Sequence, residues 1–518
     1  MKTKGIFINS DAWNFWHTDK HELGEQDIRD DVDFYVAGGG VEALLYNMNF
    51  QRTFFPSKTW TPYWKDITLA DDGEILVRGK PIPSLPGQTV HKADAYRDMF
   101  LSVMSMLRNC PDYMRVRYAY CHEKGIEMWH SMRTNDVHWT SPGLEDRPQH
   151  GDFWYYNKEA VTRAWYRRPW FKEWNWYNYA LDYGRQDVFD YNVALAREYL
   201  LDYESDGLEI DWLRCIPVFR PGCDDEGTPI LTAFMREVRR AAREAEAKWG
   251  HRVRVATRCP ARVQDALDVG MDIPAWAEEG LVDIVVPGPQ SVRTEQDCQV
   301  ALWKRLLPDE TILAPTVDMY VASGWMARGD LATDAAFAAN YYHQGADTIY
   351  VYNHFPQFQR QDSPEQRYKD MQAFFPMAAN RAQCDAATRR HVVTWRETAV
   401  EGARAECPFP ASIAPGSAGA VRLNMGGATD NRSATLIIGL TDKAMPEVWL
   451  NGVCCGIPSA APPPEIRIPQ ASDNPVSYAA LEIPDGTIRD GWNVIDLHNV
   501  ADTALRDADF VWLEIRLA

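Results

Sequence analysis

Two acidic side chains, Glu209 and Asp211, stand two residues apart in one apolar stretch of the chain. The stretch, residues 207–213, is typical of a buried strand, whose side chains alternate between two faces, so both carboxyl groups lie on the same face. Buried carboxylates are costly unless they are paired or used in a reaction. Two such groups could cleave a glycosidic bond, because one carboxyl protonates the leaving group while the other attacks the sugar or activates water.

A further candidate acid is Asp318, which follows a later apolar run. We take Asp211 and Asp318 as candidate catalytic groups in opposite roles. Each has a structural alternative, since Asp211 could be a buried acid bonded to an arginine and Asp318 could cap a turn. Glu209 lies deeper than Asp211, and we expect it to be an ion-paired supporting residue. Arg214 or Arg258 would keep one acid ionised, and an apolar aromatic wall could raise the pKa of the other.

Other polar side chains follow the predicted strands and are candidates for binding substrate hydroxyl groups or tuning the acids. They are Asp11, Trp13, Arg133, Asn135, Asp136, His138, Arg214, Arg258, Tyr320 and Asn353. Asp11, His17, Asp136 and His138 could in principle bind a divalent metal, but no compact ligand motif supports this. We therefore expect no metal and no other cofactor. For His138, packing within its loop is the alternative interpretation.

Short apolar runs alternate with helical patterns over the first 380 or so residues. Eight of these runs are predicted strands, at residues 5–9, 43–46, 126–132, 207–213, 252–257, 282–286, 311–317 and 348–352. Strands that alternate with helices pair in parallel, so the pattern predicts a (β/α)8 TIM barrel over residues 1–385. Sites in such barrels lie at the carboxyl ends of the strands, which is where the candidate residues fall.

Two insertions interrupt this pattern, at about residues 54–88 and 137–185. The first carries glycine, proline and short alternating runs, and it predicts a small β excursion. The second is rich in tryptophan and tyrosine, and we expect it over the mouth of the barrel, either as a self-packed lid or in contact with a ligand. Beyond residue 385 the helical period disappears, and residues 386–518 predict an all-β sandwich.

The fourth predicted strand and the segment before it carry a recognisable block: Ala180-Leu181-Asp182-Tyr183, Asp187-Val188, Tyr203 and Asp206-Gly207-Leu208-Glu209-Ile210-Asp211-Trp212-Leu213-Arg214. This block resembles the fourth-strand pattern of barrel-fold glycoside hydrolases and their uncharacterised relatives, and it implies a carbohydrate-active enzyme with Asp211 as the strand-four acid. Chitinase-like enzymes carry DG-x-D-x-D-x-E, whereas this chain has Glu209 and Leu213 at two of the acid positions, which argues against a chitinase mechanism. Residues 448–452 and 491–495 resemble strands of galactose-binding-like jelly rolls.

The charge and hydrophobicity of the chain limit the classes of partner that it is expected to bind. The 518-residue chain has a net charge of −19 and no long basic run, which argues against nucleic acids and anionic membranes. No segment approaches the roughly 20 apolar residues of a membrane span. The start of the chain has no apolar stretch long enough for a signal peptide, so we expect a cytoplasmic protein, with secretion left open if a leader has been removed. A homo-oligomer is also left open.

The expected function is hydrolysis of a glycosidic bond in an oligosaccharide or glycoside. Two alternatives stay open: a metal-dependent sugar isomerase, epimerase or lyase on the same barrel, and a non-catalytic carbohydrate-binding protein. The sugar is not determined by the sequence. Retention or inversion of configuration depends on whether the carboxyl groups are about 5 Å or about 6.5–9.5 Å apart.

Overall fold

The computed structural model describes residues 3–16, 20–83, 91–138, 140, 143–163, 176–216, 218–289, 294–323, 325–353, 364–394, 409, 411–441, 445–462, 477–500 and 508–518.

The first part of the chain forms a closed barrel of eight parallel strands. Barrel strands one to eight are Ile6–Ser10, Val41–Asn47, Glu127–Arg133, Gly207–Asp211, Arg254–Pro260, Ile284–Gly288, the two-part strand Ile312–Leu313 and Thr316–Asp318, and Tyr350–Tyr352. The first part of strand seven pairs with strand six and the second part with strand eight, which closes the sheet. The predicted TIM barrel is confirmed.

Alternation along these strands separates an inner from an outer face. Phe7, Trp129 and Tyr350 belong to a cluster that fills the barrel interior, whereas Leu208 and Ile210 pack outward against the helices. The interior leaves no room for a side chain at the start of strand four, because a Cβ atom at residue 207 would lie 2.5 Å from the Trp129 ring. The glycine there lets the indole fill the lower barrel, so the polar residues of strand four lie above it, towards the mouth.

Helices connect the strands and cover the outer face. The α-helices are Ala12–Trp16, Glu25–Val36, His91–Asn109, Tyr113–Glu123, Asp152–Tyr156, Gln186–Asp202, Asp224–Trp249, Val263–Asp268, Ile273–Glu278, Val300–Leu306, Leu331–His343, Pro364–Ala378 and Arg381–Ala386, and the 3-10 helices are Lys158–Ala160 and Trp176–Tyr179. An antiparallel hairpin, Tyr320–Ser323 with Trp325–Arg328, follows strand seven. Within the described ranges, every helix is too short or too polar to span a bilayer.

The two insertions differ in how much of them is described. The first contains the predicted β excursion, a three-stranded antiparallel sheet formed by Ile67–Leu69, Ile75–Val77 and Lys80–Pro81. In the second, the Trp154 side chain is buried and its Nε1 donates to the Tyr179 carbonyl oxygen at 3.1 Å. Six of the insertion's aromatic residues lie outside the described residues: Trp139, Trp165, Tyr166, Trp170, Phe171 and Trp174.

The C-terminal part forms two antiparallel sheets packed face to face. One sheet contains Arg389–Val392, Ala411–Ile413, Ala434–Leu440, Ser459–Ala461, Ser477–Glu482 and Ala508–Leu517, and the other contains Ala418–Asn424, Glu447–Leu450, Val453–Gly456 and Trp492–His498. Leu436 and Leu513 of the first sheet share a core with Leu450 and Ile495 of the second. This confirms the predicted all-β sandwich.

The sandwich is bonded to the barrel beside strands six and seven. The Gln296 backbone N–H donates to Thr394 Oγ1 at 2.7 Å, and Arg422 pairs with Asp297 at 2.6 Å. These contacts brace the loop that precedes strand seven.

Candidate active site

Glu209 lies in the barrel interior, on the inner face of strand four, and is 0% exposed. Its Oε1 accepts hydrogen bonds from Asn9 Nδ2 at 3.1 Å and Ser131 Oγ at 2.7 Å, and its Oε2 accepts one from the Tyr350 hydroxyl. Burial, reinforced by the charge of Asp211, raises the pKa of Glu209 to about 7. Glu209 can therefore hold a proton near neutral pH.

The expectation of an ion pair at Glu209 is wrong, because the register between strands four and five places the arginine beside Asp211 and not beside Glu209. Strand five sets Arg258 beside Asp211, whereas the residue beside Glu209 is Ala256. The deeper acid is therefore surrounded by neutral donors, and the acid nearer the mouth receives the arginine.

Asp211 ends strand four and is 1% exposed. Its Oδ1 accepts from Arg258 Nη1 at 2.9 Å and from the Leu213 N–H at 3.1 Å, and the Tyr352 hydroxyl lies 3.4 Å from Oδ2. The Arg258 guanidinium is itself fully buried and lies 3.7 Å from the centroid of the Tyr352 ring. Arg258 supplies the counter-charge that a buried carboxylate requires.

Asp318 ends strand seven and is also 1% exposed. Ile312 and Ala314 belong to the inner cluster, so alternation places Asp318 on the inner face as well. Thr294 Oγ1 fixes this strand end, since it accepts from the Asp318 backbone N–H at 2.7 Å and donates to its carbonyl oxygen at 3.1 Å. Asp318 is in register with Tyr352, the residue whose hydroxyl approaches Asp211. The two aspartates therefore belong to the same end of the barrel interior: Asp318 lies next to strand eight, and Asp211 lies on strand four, across the barrel from strand eight.

A second charged group occupies the ends of strands one and three. Arg133 pairs with Asp11 and, at 3.1 Å, with Asp136, and the other Asp136 oxygen contacts His138 Nδ1. Burial acts to raise the pKa of Asp136, but the charge and hydrogen bond of His138, with Arg133 and Arg214, hold this pKa well below its ordinary value. The His138 side chain is 27% exposed, whereas that of Asp136 is 1% exposed. The imidazole is therefore the part of this group that solvent reaches.

Two further candidates are Arg214, which contacts Tyr352, and Asn353, which follows Tyr352 in the chain. Arg214 is 7% exposed, and its Nε donates to the Tyr352 hydroxyl at 3.1 Å. Asn353 follows strand eight with a positive φ of 50° and is 0% exposed. Neither its Oδ1 nor its Nδ2 has a hydrogen-bond partner within the described part of the chain.

The remaining candidates have local structural contacts. Asn135 binds both backbone groups of Leu181, donating to its carbonyl oxygen at 3.1 Å and accepting from its N–H at 2.7 Å. This ties the end of strand three to the aromatic insertion. The backbone N–H of Trp13 donates to Asp11 Oδ1 at 2.8 Å, and Tyr320 begins the hairpin after strand seven.

Ser131 and Tyr350, which complete the Glu209 site, were not among the sequence candidates. Side chains two residues apart on a strand lie on the same face, so Ser131 shares the inner face with Arg133, and Tyr350 shares it with Tyr352. This alternation in the sequence could have identified both residues. His17 lies outside the described residues. Among the residues that are described, no group of three or more His, Cys, Asp or Glu side chains is arranged to hold a metal ion.

Comparisons with known proteins returned structures only. No protein-family model and no curated protein matches the sequence. The glycoside hydrolase domain of PgaB (BpsB) from Bordetella bronchiseptica aligns with a TM-score of 0.43 and 12% identity, covering 72% of this chain and 98% of that one. Chitinase B from Arthrobacter TAD20 aligns through its catalytic domain with a TM-score of 0.39 and 11% identity, covering 73% and 97%.

A longer protein also aligns over nearly the whole chain. This is the α-galactosidase AgaA of glycoside hydrolase family 36 from Geobacillus stearothermophilus, with a TM-score of 0.34 and 10% identity over 99% of this chain. The chain spans 55% of the length of that enzyme.

Proposed function

We propose that the protein is a glycoside hydrolase in which Asp211 and Asp318 act on opposite sides of a glycosidic bond at the mouth of the barrel. The observation that carries the proposal is the placement of acids on strands four and seven, both on the inner face and both at the carboxyl end. This end of a barrel is where catalytic residues are found, and hydrolysis of a glycosidic bond needs two carboxyl groups.

The surroundings of the acids suit different roles. Asp211 is paired with Arg258, and this positive partner suits Asp211 to the role of the group that attacks the sugar or activates water. Asp318 would then donate the proton to the leaving oxygen. Glu209 lies below Asp211 and takes up a proton near pH 7, so it would buffer the charge of the pair without contacting the substrate.

Both aspartates are 1% exposed, so a substrate reaches them only after side chains at the mouth move. This makes the alternative of a purely structural Asp211 a concrete one to test. The two alternatives differ in the turnover of the amide variant. Replacing a catalytic acid abolishes turnover while the sugar still binds, whereas replacing a structural acid in a variant that folds does not.

The proposal is tested by screening para-nitrophenyl glycosides and plant, algal and bacterial oligosaccharides with the full chain. On the best substrate, Asp211→Asn and Asp318→Asn should each lose turnover by about 10³-fold or more while still binding the sugar in calorimetry. Glu123→Gln, an exposed surface acid on the helix Tyr113–Glu123, is the matched control and should cleave at the wild-type rate.

The same assay separates the other classes. A sugar that binds without turnover in every form would identify a binding protein. Turnover lost in EDTA and restored by a divalent ion would identify metal-dependent chemistry instead. Wild-type turnover in Asp211→Asn would contradict the assignment of the catalytic pair.

A further inference from the structure

The buried arginines at the mouth are not equivalent. Arg133 and Arg258 each pair with a carboxylate, at Asp136 and Asp211 respectively. Arg214 is also buried, with 7% of its surface exposed, yet its guanidinium has no carboxylate partner in the described ranges. Its one side-chain hydrogen bond to a described residue comes from Nε and ends on the Tyr352 hydroxyl.

The Nη1 and Nη2 atoms of the buried Arg214 guanidinium therefore have no hydrogen-bond partner among the described residues. Removing a guanidinium from water is unfavourable unless a counter-charge or hydrogen-bond acceptors replace the lost hydration. The charge of the described carboxylate Asp136 acts on Arg214, but Asp136 already has His138 and Arg133 as direct partners. Arg214 is therefore a positive group at the mouth for which the described residues provide no carboxylate as a direct partner.

Asn353, the residue that follows Tyr352, is a second buried polar group without a hydrogen-bond partner among the described residues. Its amide is fully buried, and neither its oxygen nor its nitrogen is satisfied by a described residue. A buried amide without partners destabilises the fold, so a ligand that bonds to this amide would relieve the penalty. Its Nδ2 can donate to an anion and its Oδ1 can accept from a sugar hydroxyl.

We propose that Arg214, assisted by Asn353, binds an anionic group on the substrate, a carboxylate or a sulfate, so that the enzyme acts on an acidic sugar. This inference rests on the proposed glycoside hydrolase function and names its substrate class. The free Nη1 and Nη2 atoms form the edge of a guanidinium that bonds both oxygens of an oxyanion at once.

The overall charge of −19 narrows the class further. Long-range repulsion disfavours the approach of a long polyanion, so recognition depends on short-range contact at the mouth. A small glycoside or short oligosaccharide with one or two acidic groups fits this balance better than a polyanionic polymer.

The test is calorimetry of the full chain with paired sugars: glucuronate against glucose, galacturonate against galactose, and glucose sulfate against glucose. We expect at least one acidic sugar to bind about tenfold more tightly than its neutral partner, since a charge-assisted hydrogen bond contributes about 1.5–3 kcal/mol. The sulfate and carboxylate arms show which oxyanion is preferred.

Two variants assign the preference to this site. Arg214→Gln should abolish the preference, because it weakens binding of the acidic sugar at least tenfold more than binding of the neutral sugar. Arg305→Gln, on the exposed side of the helix Val300–Leu306, should leave the preference intact. Asn353→Asp adds a negative charge that repels an anion and should weaken binding of the acidic sugar more than binding of the neutral sugar. If Arg214→Gln does not fold, Asn353→Asp carries the same test.

The outcomes distinguish this inference from the hydrolase proposal because binding is measured without turnover. Equal affinity for acidic and neutral sugars, or a preference that survives in Arg214→Gln, overturns the inference even if neutral glycosides are cleaved. A preference that depends on Arg214 supports it even if no glycoside is hydrolysed, in which case the hydrolase proposal fails alone.

Discussion

Glu209 should make the free energy of unfolding of the barrel fall as the pH rises. This is opposite to the effect of an acid whose pKa is lowered by folding. Its pKa is raised from 4.5 to about 7, mainly because the carboxyl group is buried. A tenfold change in proton affinity corresponds to about 1.4 kcal/mol, so ionising Glu209 within the fold costs about 3 kcal/mol. The folded state binds the proton more tightly than the unfolded state, so this contribution lowers the free energy of unfolding as the pH rises.

Glu209→Gln removes this titration and retains the shape of the side chain. The amide oxygen can still accept from Asn9 and Ser131, and the Tyr350 hydroxyl can turn to accept from the new amide. Between about pH 4.5 and about pH 8, the free energy of unfolding of the wild type should therefore fall by about 3 kcal/mol relative to the variant.

Urea unfolding followed by tryptophan fluorescence at several pH values measures this difference. Glu123→Gln, whose side chain is 64% exposed, is the control and should parallel the wild type. If wild type and Glu209→Gln show the same pH dependence, the reasoning about a proton held on this buried acid is refuted.

Three other substitutions probe the framework around the site. Arg258→Leu leaves Asp211 buried without its counter-charge and should lower the free energy of unfolding by about 3–5 kcal/mol in urea, whereas unchanged stability would show that the pair is not needed. Gly207→Ala places a Cβ 2.5 Å from the Trp129 ring and should cost about 1–3 kcal/mol, seen as a lower thermal midpoint, and a wild-type midpoint would contradict that contact. Asn135→Ala removes two hydrogen bonds to the aromatic insertion and should speed its proteolysis, and an unchanged cleavage rate would argue against this tie.

Much of the barrel was predictable because alternation is a local property of a strand. Leu208 and Ile210 could be assigned to the helix-facing side, and Glu209 and Asp211 to the interior, from spacing alone. The eight predicted strands lie within three residues of the observed ones for the same reason.

The partners of the acids were harder to predict because they depend on register between strands. Tyr350 donates to Glu209 across a separation of 141 residues, and only the closure of the barrel brings them together. The sequence left open whether Arg214 or Arg258 lies beside one of the acids. The structure places Arg258 beside Asp211, because strand register pairs Asp211 with Arg258 and Glu209 with Ala256. Contacts of this kind are determined by sheet geometry and not by the local pattern.

The most direct test of the catalytic pair is the turnover of the double variant Asp211→Asn with Asp318→Asn, measured beside the two single variants on one substrate. Groups that act together in one reaction lose activity non-additively, so each single variant should fall by about 10³-fold or more and the double variant should stay within about tenfold of the slower single. Turnover close to wild type in either single variant would contradict the central claim that these two carboxyl groups cleave the bond.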